Sequence, residues 1–92
     1  MRTIERTTAF KRDYKREKAG RHGKRLDALL VAAVTLLAAD EQLPTANRDH
    51  PLSGEWNDHR DCHLRPDLVM IYRKAVPNVL QLVRLGSHAE LF

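Results

Sequence analysis

The apolar positions of this chain change period about halfway along it. Before residue 40 they recur at helical spacing; beyond residue 56 they gather in short runs separated by turn residues. Leu26, Leu29, Leu30, Ala33, Val34 and Leu37 make one stripe and predict an amphipathic helix from about Lys24 to Ala39. Upstream, Phe10 and Tyr14 stand four apart and share a face of a first, otherwise basic helix. Thr7 or Thr8 is its expected cap, because a hydroxyl there accepts a bond from an orphan backbone N–H. Gly20 and Gly23 bracket the break, where glycine readily supplies the left-handed residue that ends a helix, and the two helices should form a hairpin. Arg2–Arg6, with Ile4 as its apolar member, reads as a short strand ahead of them.

Leu43–Trp56 reads as a loop, punctuated by Pro44, Pro51, Ser53 and Gly54; Pro51 steers His50 away from helical geometry. Trp56–Leu64, Leu68–Tyr72 and Val79–Leu85 then read as three strands, with turns at residues 65–67 and 74–78, forming an antiparallel meander. Gly86 closes the sheet and leaves Ser87–Phe92 as a short tail. The expected fold class is α+β: two N-terminal helices pack on one face of an antiparallel-dominated sheet and leave the other face free to build a site. A length of 92 residues fits one domain, 1–92, with a modest core.

Charge narrows the partners. The formal net charge is +4, and the first 25 residues hold ten Lys or Arg against three acids. Such a segment suits nucleic acid or an acidic protein segment, although a solvated helix face gives the same pattern. Cys62 is the only cysteine, so no disulfide closes within the chain, which favours a reducing compartment. No apolar signal region follows the basic N-terminus, and the longest apolar stretch, Leu29–Ala39, is too short to span a bilayer. The chain is expected in the cytoplasm, with no membrane role.

The titratable chemistry lies in five histidines: His22, His50, His59, His63 and His88. A zinc site at His59, Cys62 and His63 fails on strand geometry: His59 and His63 would lie about 13 Å apart at roughly 3.3 Å per residue, and Cys62 and His63 would face opposite ways. The same opposition argues against a Cys62–His63 nucleophile pair and leaves Cys62 as a small, half-buried hydrophobe. RNA cleavage by an internal 2′-OH fits better. It needs a base for that hydroxyl, an acid for the departing 5′ oxygen and a cation for the charge on phosphorus, and the histidines, Asp67 and Arg84 supply candidates for each. No metal or other cofactor is expected.

Motifs sharpen this picture. Asp49-His50-Pro51-Leu52-Ser53-Gly54-Glu55-Trp56 resembles the "DHPL.G.W" signature of YafQ-type toxins, in the RelE superfamily. Arg60-Asp61-Cys62-His63-Leu64-Arg65-Pro66-Asp67 is similar to that family's "RD.H..PD", Ile71-Tyr72 to its "IY", and Gly86–Phe92 to its "G.HA.LF". The resemblance implies a RelE-like fold and a toxin that cuts mRNA on the ribosome and is silenced by a cognate, DinJ-like antitoxin, in a heterotetramer that binds operator DNA. It implies that His50, His63, Asp67 and His88 carry the catalysis and that Phe92 supports them. His88 is then the expected acid, with His50 and His63 on the 2′-OH or the phosphorane and Asp67 as a base or an orienting group. Arg60 and Arg84 are expected phosphate contacts by their chemistry, although a solvated strand residue would look the same. Leu68 stands where related toxins carry Trp, which puts substrate grip in question. His22 and His59 fall outside the motifs and outside the expected site. Two rival readings remain open: a toxin-like module that binds antitoxin, DNA or ribosome without cutting, and a zinc-stabilised structural protein.

Overall fold

The computed structural model describes residues 1–92. The order is β1 (Thr3–Arg6), α1 (Thr8–Lys18), α2 (Gly23–Ala38), β2 (His50–Pro51), β3 (Arg60–Arg65), β4 (Leu68–Ala75), β5 (Val79–Gly86) and α3 (His88–Leu91), with 3₁₀ turns at Thr45–Asn47 and Gly54–Trp56. The five strands lie side by side as β1-β5-β4-β3-β2. β1 runs parallel to β5 and every other pair is antiparallel, so the fold is α+β on a mixed sheet.

The expected apolar stripe of α2 is buried where it matters: Leu26, Ala33 and Leu37 are in the main core, with Leu29, Leu30 and Val34 packed against it. Opposite them stand Cys62, Leu64, Leu68, Met70, Tyr72, Leu80, Leu82 and Leu85 from the sheet. The other face is not bare. Val69 and Ile71 are fully buried beneath Leu91, with Leu52, Trp56 and Val83 at their margin.

That second, smaller core corrects three expectations. Ser87–Phe92 is not a tail: Ser87 caps α3 through a capping box, accepting from the Glu90 N–H at 3.2 Å while its own N–H donates to Glu90 Oε1 at 2.8 Å. Only one helical turn results, and burial of Leu91 pins it to the sheet. Residues 56–59 are not strand; Trp56 closes a 3₁₀ turn and the ladder begins at Arg60. Within the expected loop, His50 and Pro51 pair with Asp61 and Arg60 as a short edge strand. The glycines at the helix break also act differently from expectation, since neither has a positive φ. Gly23 is there for close approach: a Cβ would lie 2.1 Å from the Lys18 carbonyl oxygen.

α1 solves a problem that β1 leaves. β1 covers the outer edge of β5 only from Val79 to Leu82, which would bare the backbone beyond. Thr7 donates its N–H to Leu82 O at 3.0 Å and its hydroxyl to Val83 O at 2.7 Å. Leu85 N–H donates to Asp13 Oδ2 at 3.0 Å, and Arg16 donates to Leu85 O at 2.8 Å. The cap residue of α1 and two of its side chains thus finish the ladder. Asp13, 3% exposed, also receives Arg84 at 2.6 Å and Arg16 at 2.9 Å. Burial pushes its carboxyl up; the Arg84 hydrogen bond, the Leu85 N–H and Arg16 outweigh burial and leave it below its ordinary 3.8.

Asp13→Ala should therefore cost about 2–3 kcal/mol in urea unfolding at pH 7, mostly from the stranded Leu85 N–H. Arg84 and Arg16 are partly solvated and recover part of their loss. Because the folded-state carboxyl is lowered, its contribution is complete above the ordinary value and fades as pH falls through the folded one, so the gap between variant and parent should narrow below about pH 4. Equal stability at pH 7 would contradict this assignment.

Candidate functional site: three histidines around a buried aspartate

The site is built on the face opposite the helices, and the pleat of β3 places it there. Successive strand residues face opposite ways. Cys62 and Leu64 therefore enter the main core, while Asp61 and His63 present to the other face. The β2–β3 register sets His50 directly across from Asp61. β5 ends beside Val69, and Ser87 then starts α3 with His88 at its first position. Three separate segments deliver three imidazoles to one carboxylate.

Asp61 is 1% exposed, and burial holds its carboxyl above the ordinary value. The charges of His50, His63 and His88, in that order of strength, pull it back down, and Asp49 pushes it up. Its Oδ1 lies 3.1 Å from His50 Nδ1 and has no hydrogen-bond partner. His50 Nδ1 is also 2.8 Å from the Arg48 carbonyl oxygen. A carbonyl only accepts, so the neutral ring carries its proton on Nδ1 and leaves Nε2 as the basic nitrogen. Arg48 adopts a left-handed φ of 48° in presenting that carbonyl. Asp49, next in the chain, is anchored by the Tyr72 hydroxyl at 2.5 Å and Arg60 at 3.2 Å, which locks the base of the loop that carries His50.

An aromatic wall borders the cluster. His88 and Phe92, one helical turn apart, have ring centroids 4.7 Å apart; Trp56 meets Phe92 at 6.4 Å and His59 at 5.3 Å, both edge-on. Phe92 is 48% exposed, so part of a ring faces solvent beside His88. His63 also lines a depression of about 430 Å³, with Arg48 and Arg65 among its other walls.

Of the residues expected from sequence, His50, His63 and His88 converge, and Phe92 stands against His88. The others have different neighbours. Arg60 pairs with Asp49, and Arg84 with Asp13. Asp67, in the β3–β4 turn, pairs with Arg21 and faces His22 in the α1–α2 loop. Sequence reading missed Asp61. Its signal was available: two residues before His63 on a strand means the same face, and the motif holds both. Cys62, fully buried, has its thiol pushed up to about 12 by burial and by the Asp49 and Asp61 charges, so it stays protonated and is no nucleophile.

The model of a bacterial toxin of type II toxin–antitoxin systems, YafQ, matches residues 2–92. The chain belongs to the YafQ family. Among its relatives, mRNA interferase toxin YafQ of Escherichia coli K12 is 35% identical over 92 residues, spanning all of this chain and 97% of that protein. The E. coli DinJ–YafQ complex contains a chain with 33% identity and a TM-score of 0.79, covering 100% of this chain and 99% of its own. A metal-bound toxin from Helicobacter pylori is 40% identical with a TM-score of 0.84 over the full length of both chains. In the present chain no group of three or more His, Cys, Asp or Glu side chains is placed to hold a metal ion. No helix is long and apolar enough to cross a membrane.

The raised carboxyl of Asp61 carries a testable consequence. A folded-state carboxyl that holds its proton more tightly than the unfolded chain's costs stability once ionised. Asp61→Asn should therefore be more stable than the parent at pH 7, with a higher melting temperature. That advantage should shrink as pH falls below the folded-state value, where the parent's carboxyl is neutral too. A lower melting point for the variant at pH 7 would show that Asp61 is a net structural anchor.

Proposed function

We propose that this protein is an endoribonuclease toxin that cleaves translated mRNA by acid–base catalysis on its own side chains and is neutralised by an acidic segment of a DinJ-like antitoxin. In this reading residues 1–92 act as one toxin domain. The observation that carries the proposal is the convergence of His50, His63 and His88 on buried Asp61 beside an exposed aromatic ring. The names of the E. coli relatives, an mRNA interferase toxin and a partner of DinJ, point the same way.

The chemistry follows from the positions. Nε2 of His50 accepts the proton of the 2′-OH, which attacks the adjacent phosphorus. The imidazolium so formed keeps its Nδ1 3.1 Å from the Asp61 carboxylate, which stabilises the new charge. His63, on the same strand face, adds positive charge toward the phosphorane oxygens. His88, held at the start of α3, protonates the departing 5′ oxygen. Phe92 stacks a base next to the scissile bond. Asp67, on the same hairpin as His63, supplies a second carboxylate to the 2′-OH side. Arg48 and Arg65 flank the depression beside His63 and guide the strand's phosphates. Arg60 and Arg84 are already paired with carboxylates, so any phosphate contact by them exchanges an internal partner.

The basic hairpin of α1 and α2 provides the docking surface. Lys11, Arg12, Lys15, Lys24 and Arg25 are all exposed on it and suit ribosomal RNA or an acidic antitoxin segment. Competition for that surface gives a direct route to inhibition, and the complex with antitoxin is expected to be a heterotetramer that binds operator DNA.

Primer extension on a message under translation tests the activity. The parent should produce new cut sites within the translated region, and folded His88→Ala should reduce them by about 10²–10⁴, the usual contribution of a general acid. Absence of cuts with folded parent protein, on and off the ribosome, would leave the non-cutting binding module as the better reading.

A further inference from the structure

Asp67 is the member of the proposed catalytic set whose ion-pair partners lie outside the histidine cluster, and those partners belong to the α1–α2 loop. We infer that His22 is a positioning residue for Asp67, which makes this loop part of the cleavage site. The inference rests on the function proposed above, in which Asp67 acts on the 2′-OH side.

His22 occupies the residue before α2, the position where Ser, Thr, Asp and Asn serve as caps. Its side chain makes no capping bond. It turns instead toward the β3–β4 turn, only 16% exposed, with Nε2 3.1 Å from Asp67 Oδ1. That Nε2 is buried and has no hydrogen-bond partner. A buried ring nitrogen without a partner is costly, and a small rotation of either side chain completes a bond to Asp67.

The loop presents His22 rigidly. Gly23 packs so close to Lys18 that no side chain fits there, and Lys18 Nζ returns to donate to Gly23 O at 3.2 Å. Arg21 takes the other oxygen of Asp67, but its side chain is 76% exposed and solvent weakens that pair. The two oxygens of Asp67 thus have unequal holders, and His22 is the anchor. Without it, a carboxylate on an exposed turn between β3 and β4 loses its fixed direction. Sequence motifs left His22 aside because its role depends on the helix hairpin meeting the β3–β4 turn across 45 residues of chain.

The test is a double-mutant cycle on the cleavage rate of message bound to translating ribosomes, using the full chain. His22→Ala should lower the rate at saturating ribosomes about tenfold and leave the half-saturating concentration unchanged. His22→Gln, which keeps an N–H near the place of Nε2, should recover most of the rate. In an Asp67→Asn background His22→Ala should add no further loss. Additive losses, or a full rate in His22→Ala, would overturn the inference while leaving the nuclease intact. A full rate in Asp67→Asn would instead remove Asp67 from the proposed mechanism and His22 with it. Thermal melts of every variant accompany the rates. If His22→Ala is unfolded, the Gln variant in both backgrounds decides: a rate below a tenth of the parent's in the Asp67 background would overturn the inference.

Discussion

The two-residue period of β3 governs both the core and the site. Cys62 and Leu64 point into the main core, and their burial fixes which way the strand faces. Asp61 and His63 then have no choice of side. A slip of one residue would bury the carboxylate and imidazole among leucines and expose the apolar pair. The force that selects the face of the candidate site is therefore hydrophobic, and it acts on residues outside that site. His50 inherits its place from the same constraint through its pairing with Asp61, and His88 inherits its place from the end of β5 beside Val69.

Two buried aspartates show how a small domain spends polar burial differently. Asp13 is satisfied on every side: a backbone N–H and two guanidinium groups hold it, and its carboxyl is lowered. It closes the open edge of β5 and fastens α1 to the sheet. Asp61 is almost equally buried, yet one oxygen has no hydrogen bond and its carboxyl is raised. A buried carboxylate kept at a cost to stability, with the His50 imidazole 3.1 Å away, marks a candidate functional site. Asp49 lies between these extremes. It joins Tyr72 and Arg60 and steadies the loop that carries His50.

Much of this was legible in the sequence, for identifiable reasons. The stripe of α2 and the meander of β3 to β5 announce themselves because a period of 3.6 or 2 is enforced over many residues. The motifs at Asp49–Asp67 and Gly86–Phe92 pointed to the three histidines that the fold brings together. What escaped were features decided by contacts between distant segments. The burial of Asp13 depends on where β1 stops along β5. The one-turn helix α3 is too short for periodicity to reveal, and it exists through its capping box and the burial of Leu91. Gly23 looked like a left-handed breaker but is required by the closeness of Lys18. For Asp61 the strand period and the motif give the face it shares with His63, but its near-complete burial, which sets its role, comes only from packing. Arg84, read as a phosphate contact, has its charge committed to Asp13.

The most direct measurement is the chemistry of the cut ends, made on message cleaved by the protein during translation. A 2′-OH nucleophile assisted by His50 and an acid at His88 must leave a 2′,3′-cyclic phosphate, or the 3′-phosphate it hydrolyses to, on the upstream fragment and a 5′-hydroxyl on the downstream one. Ligation or kinase labelling specific for those ends should therefore succeed directly. Upstream fragments ending in a 3′-hydroxyl, with 5′-phosphates downstream, would mean that water and not the 2′-OH attacks, and would contradict acid–base cleavage by the histidine cluster.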